Sequence, residues 1–122
     1  MCDVIMSIKP AYVGKILIGE KLYEYRKKRC RRDIDSIIIY STFPMKKIVA
    51  EVKVKGVIEG YPDDVWRKTY LNSGISKADY DEYFYGKDLA VAYVLGEINI
   101  FEKPRELQDY GKTYIPQSYC YV

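Results

Sequence analysis

The chain has 122 residues, with 20 Lys and Arg against 17 Asp and Glu and no histidine at all. That length suits one domain with one modest core, and hydrophobic and charged fractions of 48% and 30% are those of an ordinary globular chain. The missing histidine excludes Ser-His-Asp and Cys-His catalysis and histidine-bound zinc, and three scattered cysteines without a CxxC pair point to neither a thiolate metal site nor a disulfide framework, so no metal or other cofactor is expected.

In chain order, "VIMSI" (4–8) reads as a short buried strand. The Lys9-Pro10 step extends the backbone and then opens a helix with proline at its first position. Tyr12, Val13, Ile16 and Leu17 make one apolar stripe on that helix, and Gly19 sits where it should stop. "LYEYRKK" (22–28) follows as a strand whose alternation places Leu22, Glu24 and Arg26 on one face and Tyr23, Tyr25 and Lys27 on the other. "CRRDID" is a polar turn into "SIIIYST" (36–42), a β-branched run closed by Pro44.

"IVAEVKVKGVIEG" (48–60) is the clearest strand, with Ala50, Val52 and Val54 alternating against Glu51, Lys53 and Lys55, and Gly56 marking a bulge. Two helices are predicted next. Pro62 with Asp63 and Asp64 starts the first, whose stripe is Val65, Trp66, Thr69 and Tyr70; Ser76 and Asp79 resemble a capping box for the second, which buries Tyr80, Tyr83 and Phe84 and ends at Gly86. "LAVAYVLGEINIFEK" returns to strand, and "YIPQSYCYV" closes the chain as an alternating tyrosine-rich strand. The order β-α-β-β-β-α-α-β-β, in one domain over 1–122 without linkers or repeats, predicts an α+β fold: a partly closed β-barrel with flanking helices.

The charge is uneven. Residues 1–60 carry 13 Lys and Arg against 7 Asp and Glu, and residues 61–122 carry 7 against 10. A basic half attracts polyanions, and some of the 14 tyrosines are suited to stacking on bases. No apolar run approaches the roughly 20 residues of a membrane span, and "MCDVIMSIKP" shows no signal-peptide pattern, so no membrane association and a cytoplasmic location are expected.

"GEKLYEYRKKRCRR" (19–32) concentrates the candidate chemistry. Glu24 and Arg26 lie two apart on a strand, hence on one face, and offer an acceptor beside a planar donor fork, the set that reads a nucleobase edge. The plain alternative for the same spacing is a surface ion pair of about 0–1 kcal/mol. Lys21, at the helix exit, is placed to hold a phosphate or, if desolvation lowers its pKa, to act as base or nucleophile. Lys28, Arg29 and Arg31 form either a phosphate track or a basic edge that resists aggregation. Tyr40, Ser41 and Thr42 stand at a strand end as groove hydroxyls or as simple turn residues. Trp66 is a stacking platform or a core residue. Gln117 and Ser118 stand as the far wall of the same groove or as ordinary turn residues, and Lys9 is a further candidate binding residue.

"SIKPAYVGKILIGEKLYEYRKK" resembles the opening of the activating signal cointegrator homology (ASCH) domain, through a strand, a helix and then G-x-K-x-x-E-x-R at Gly19, Lys21, Glu24 and Arg26. "IIIYSTFPMKKIVAEVKV", the two-helix segment and "PQS" extend the resemblance over nearly the whole chain. It implies a PUA-like pseudobarrel with a groove at the barrel mouth, and RNA or a nucleotide-like ligand as partner. The reading from this resemblance is a binding module for RNA or a modified base. A small amidohydrolase acting on an acylated nucleoside such as N4-acetylcytidine, through Lys21 and Glu24, is the alternative the family implies. Lys21 matches that activity's lysine, whereas Glu24 stands in the place of its threonine.

Overall fold

The computed structural model describes residues 2–122. Its elements are β1 (Asp3–Ile8), α1 (Pro10–Leu17), β2 (Tyr23–Arg26), β3 (Ser36–Ser41), β4 (Lys47–Gly60), α2 (Pro62–Thr69), α3 (Lys77–Tyr83), β5 (Ala90–Arg105) and β6 (Tyr119–Tyr121). Short 3-10 turns at Tyr70–Asn72 and Leu107–Tyr110 complete it. The predicted order of elements therefore holds. The strands form one sheet in the order β2-β5-β4-β3-β1-β6.

β3 lies in the middle because "SIIIYS" buries every residue and tolerates protein on both faces. β1 pairs with it in parallel, since helix α1 carries the chain away, and the remaining pairs are antiparallel. Three irregularities in the β4–β5 ladder, one of them between Val54 and Gly56 as expected, bend and twist these long strands.

The bending closes the sheet. β2 ends one edge and β6 the other, yet Arg26 Nη2 donates to the Ser7 carbonyl on β1 at 3.1 Å and Nη1 to Ser118 Oγ, just before β6, at 3.1 Å. One arginine thus clasps the seam of a partly closed barrel. The interior is filled by Val4, Met6 and Ile8 of β1, Ile37 and Ile39 of β3 and Ala50 and Val52 of β4, with Val13 and Ile16 of α1 covering it. On the outer face α2 and α3 pack Val65, Tyr80 and Phe84 against Tyr25, Ala90 and Ala92.

Two strand bounds differ from expectation. β2 stops at Arg26 rather than residue 28, where the basic run leaves the sheet as a bend. The last strand is confined to Tyr119–Tyr121, because Pro116 lacks the N–H a ladder needs and the preceding segment forms a 3-10 turn capped by Glu106 and Asp109. Ser76 caps α3 as predicted, its hydroxyl accepting from the Asp79 amide at 3.1 Å. No helix among the described residues is long and apolar enough to cross a membrane.

Candidate functional site

Helix α1 ends in a tight reversal. Gly19 takes a left-handed φ of +82°, and the amides of Glu20 and Lys21 both donate to the Lys15 carbonyl at 3.0 and 3.1 Å. The turn sends Lys21 inward before β2 begins. Its side chain is 2% exposed, and its Nζ donates to the Ser73 carbonyl at 2.7 Å. The amine lies 4.8 Å from the centre of the Tyr25 ring and 5.1 Å from that of Tyr12, within cation–π range of both. Burial pulls its pKa down to about 8, against the opposing charge of Glu24 and helped by Lys15. A buried amine held by a carbonyl and two rings is close to losing its proton at physiological pH.

Glu24 and Arg26 pair at 3.0 Å, with both side chains nearly buried. The spacing argument for one shared face is correct. Arg26 is also surrounded by protein acceptors: the Ser7 carbonyl, Ser118 Oγ and, at 3.4 Å, the Ser118 carbonyl. Its Nε is buried without a hydrogen-bond partner. The guanidinium fork is therefore committed to orienting Glu24 and to closing the barrel.

These residues border one groove of about 460 Å³. Its rim is built by Lys9 just before α1, by Tyr12 of α1, by Lys27 just after β2, and by Asp79, Glu82 and Tyr83 of α3. Lys27 Nζ lies 4.6 Å from the centre of the Tyr83 ring. Tyr25 forms part of the floor: its hydroxyl donates to Thr69 Oγ1 at 2.7 Å, and burial raises its pKa to about 12 in spite of that bond. Burial likewise raises the phenols of Tyr12 and Tyr83, so the groove presents neutral rings at every physiological pH.

Lys9, Lys21, Glu24 and Arg26 thus meet at one concavity. The expected separation of Tyr25 and Lys27 onto another surface does not hold. β2 is an edge strand, and the groove wraps around that edge to reach side chains from both of its faces. Ser118 joins through its bonds to Arg26, while Gln117 is exposed and outside the groove.

Four candidates belong elsewhere. Tyr40 is 2% exposed and packs with Ile5, Ile38 and Ile48 in a separate apolar cluster. Ser41 is buried within the β3 ladder, and Thr42 extends it by donating its amide to the Ile8 carbonyl at 3.1 Å. The strand end keeps these residues for pairing and packing. Trp66 packs against Tyr80 with ring centres 4.7 Å apart and planes tilted by 48°, and it does not line the groove. In the basic run, Lys28 and Arg31 are exposed, but Arg29 pairs with Glu59 and Asp33, each at 2.9 Å.

Reading the sequence missed Tyr12, Tyr25 and Lys27 as site residues, along with Asp79, Glu82 and Tyr83 of α3. Their local signals were those of a helix stripe, a strand face and a capping box, each satisfied without reference to a ligand.

The profile of the ASCH domain family matches residues 6–102. Large ribosomal subunit protein uL22 of Ureaplasma parvum is 36% identical over 86 residues, which is 70% of this chain but 28% of the relative. An ASCH domain-containing ribonuclease of Zymomonas mobilis is 24% identical over 94 residues, 76% of this chain and 64% of the relative. This chain accordingly spans less than two thirds of the length of either. The crystal structure of ASCH from Zymomonas mobilis superposes with a TM-score of 0.89 at 22% identity, covering 98% of this chain and 87% of that one. That agreement extends to the curled six-stranded sheet with its flanking helices. With the family profile covering most of its length, this chain belongs to the ASCH domain family.

Proposed function

We propose that the groove binds RNA, or a nucleotide-like ligand, by admitting a single unstacked base. The observation that carries this reading is the convergence of Lys21 and an Arg26-oriented Glu24 at one concavity rimmed by tyrosines. Four cations (Lys9, Lys21, Arg26 and Lys27) face three carboxylates (Glu24, Asp79 and Glu82) there. A site for phosphate alone would favour cations without acids, whereas a base edge presents donors and acceptors side by side. Single-stranded RNA is commonly read by this combination of aromatic faces and hydrogen bonds to splayed bases. The relative named as a ribonuclease supports RNA as the ligand class.

Within this reading Glu24 accepts from an exocyclic amino or ring N–H group, Lys21 donates to a carbonyl, and Arg26 is a positioning residue. Lys28 and Arg31 extend the site as a phosphate track outside the groove. Arg29 already holds two carboxylates and so contributes less to that track.

A second reading has its own observation. The amine of Lys21, buried with its pKa near 8, is suited to proton transfer or nucleophilic attack, and Glu24 stands beside it. This favours hydrolysis of an acylated nucleoside such as N4-acetylcytidine.

Glu24→Gln separates the two readings. In a binding groove it keeps one acceptor and costs about 1–3 kcal/mol of affinity for short single-stranded RNA, measured by fluorescence anisotropy. In an amidohydrolase it lowers turnover by roughly 100-fold, with a smaller effect on binding. The binding outcome is expected, because Glu24 stands where the resemblance to the amidohydrolase members would place their threonine. Robust wild-type turnover of N4-acetylcytidine that collapses in the variant would reverse the assignment.

The phosphate track makes a separate prediction. Removing the charges of Lys28 and Arg31 should weaken RNA binding equally across sequences and reduce the salt slope by roughly 0.7 for each phosphate no longer neutralised. Arg29→Ala should change the slope less. An affinity indifferent to Lys28 and Arg31 would return the run to a solvated edge.

A further inference from the structure

Lys21 is held from above by a turn more than fifty residues away in the chain. The Asn72 carbonyl accepts from the Leu22 amide at 2.9 Å, the Ser73 carbonyl from Lys21 Nζ at 2.7 Å, and the Gly74 carbonyl from Lys15 Nζ at 3.3 Å. Three successive carbonyls thus face the α1–β2 reversal. Gly74 covers the aliphatic stem of Lys21 so closely that an added Cβ would lie 2.5 Å from Lys21 Cβ, 2.6 Å from Cγ and 2.8 Å from Cδ. Carbon atoms do not approach one another this closely, and the near end of the stem is anchored to backbone, so it cannot swing clear.

Gly74 is one of four described glycines with positive φ. The other three, Gly19, Gly86 and Gly111, have nothing within 4 Å of a built Cβ. At those positions glycine answers a backbone requirement alone. At Gly74 it also answers a packing requirement imposed by a residue of the site.

Resting on the binding function proposed above, we propose that Gly74 is a positioning residue of this site. By lacking a side chain it lets the Lys21 stem lie flat beneath the turn, which seats the amine on the Ser73 carbonyl and aims it at the groove. A side chain at 74 lifts the stem and releases the amine from that carbonyl and from the Tyr12 and Tyr25 rings. The turn therefore sets both where the amine stands and how readily it holds its proton, linking α3's loop to the ligand.

The experiment compares Gly74→Ala with Gly86→Ala and Gly111→Ala, which impose the same backbone strain in open space. The titration of the Lys21 amine is followed by NMR on lysine-labelled protein, and binding of a short single-stranded RNA is measured from pH 6 to 9. In Gly74→Ala the midpoint should rise from about 8 toward the ordinary lysine value of 10.5. RNA affinity should fall by roughly tenfold or more, the scale of one charged hydrogen bond, and its pH profile should shift with the amine. Both controls should keep the parental midpoint and profile. A parental Lys21 midpoint in folded Gly74→Ala would overturn the proposal.

If Gly74→Ala folds poorly, a double-mutant cycle decides. In a Lys21→Gly background, where the stem is gone, the loss of stability from Gly74→Ala should shrink to that of Gly86→Ala. An undiminished loss would mean that the clash with Lys21 is not what Gly74 avoids. If the parent protein binds no RNA, the binding function fails, while the amine titration and the cycle still judge the positioning role.

Discussion

Replacing Arg26 with alanine is expected to destabilise the fold by about 3–5 kcal/mol, the usual cost of removing one partner from a buried ion pair. The pair with Glu24 is formed at 3.0 Å between side chains that are 13% and 9% exposed. Without the guanidinium, Glu24 loses its ion-pair partner and is left as a nearly buried carboxylate with only the neighbouring Lys21 amine to offset its charge. The Ser7 carbonyl and Ser118 Oγ also lose their donor, and with it the clasp between β2 and the β1–β6 edge. Arg26→Lys should recover only part of the loss, since an ammonium cannot span three acceptors with a planar fork. Urea denaturation of the single variants and of Arg26→Ala with Glu24→Gln tests the mechanism. The double variant should be less destabilised than the sum of the singles, because the second change removes the stranded charge. A cost for Arg26→Ala below about 1 kcal/mol would place this pair among ordinary surface ion pairs.

Stability of the wild-type protein should rise between pH 8 and about 10, and Lys21→Met should abolish that rise. The native amine titrates near 8, while in the unfolded chain it titrates near 10.5. Between those values the unfolded state binds more protons, so raising the pH favours the native state. At about 1.36 kcal/mol for each pH step between the two midpoints, the full effect is about 3 kcal/mol. Above pH 10 the buried phenols act in the opposite sense. Tyr25, Tyr80 and Tyr93 have raised native pKa values, so their unfolded counterparts ionise first and stability falls again. The difference between wild type and Lys21→Met, measured by denaturation at each pH, isolates the amine.

Near pH 7 the same variant should be about 1–2 kcal/mol more stable than wild type, less than the full effect because the Ser73 carbonyl loses its donor. Ligand binding at the groove should be lost at once. Greater stability with lost binding is the signature of a charge retained for function rather than folding. Parallel pH curves for the two proteins would show that Lys21 is not desolvated in solution.

Much of this architecture is local in origin and therefore visible in the residues themselves. Pro10 opens α1, the hydroxyl of Ser76 caps α3, and alternate burial along β4 follows from Ala50, Val52 and Val54 facing Lys53 and Lys55. Each is decided by neighbours within a few positions, through dihedral preference, capping or the two-residue period of a strand. The Glu24–Arg26 pair was legible for the same reason, as was the place of Lys21 at a helix exit.

The rest depended on residues distant in sequence. Tyr40 and Ser41 end a strand in a way that suits a groove, yet the curl of the sheet turns them into packing and pairing. Arg26 offered a free donor fork on paper, but barrel closure brings it to Ser7 and Ser118, 19 and 92 positions away, which occupy that fork. Lys21 is restrained by the backbone carbonyl of Ser73 and by the bare backbone of Gly74. A carbonyl has no residue-type signature and a glycine has no side chain to betray its role. Both acquire their meaning only when folding sets two turns of the chain against each other.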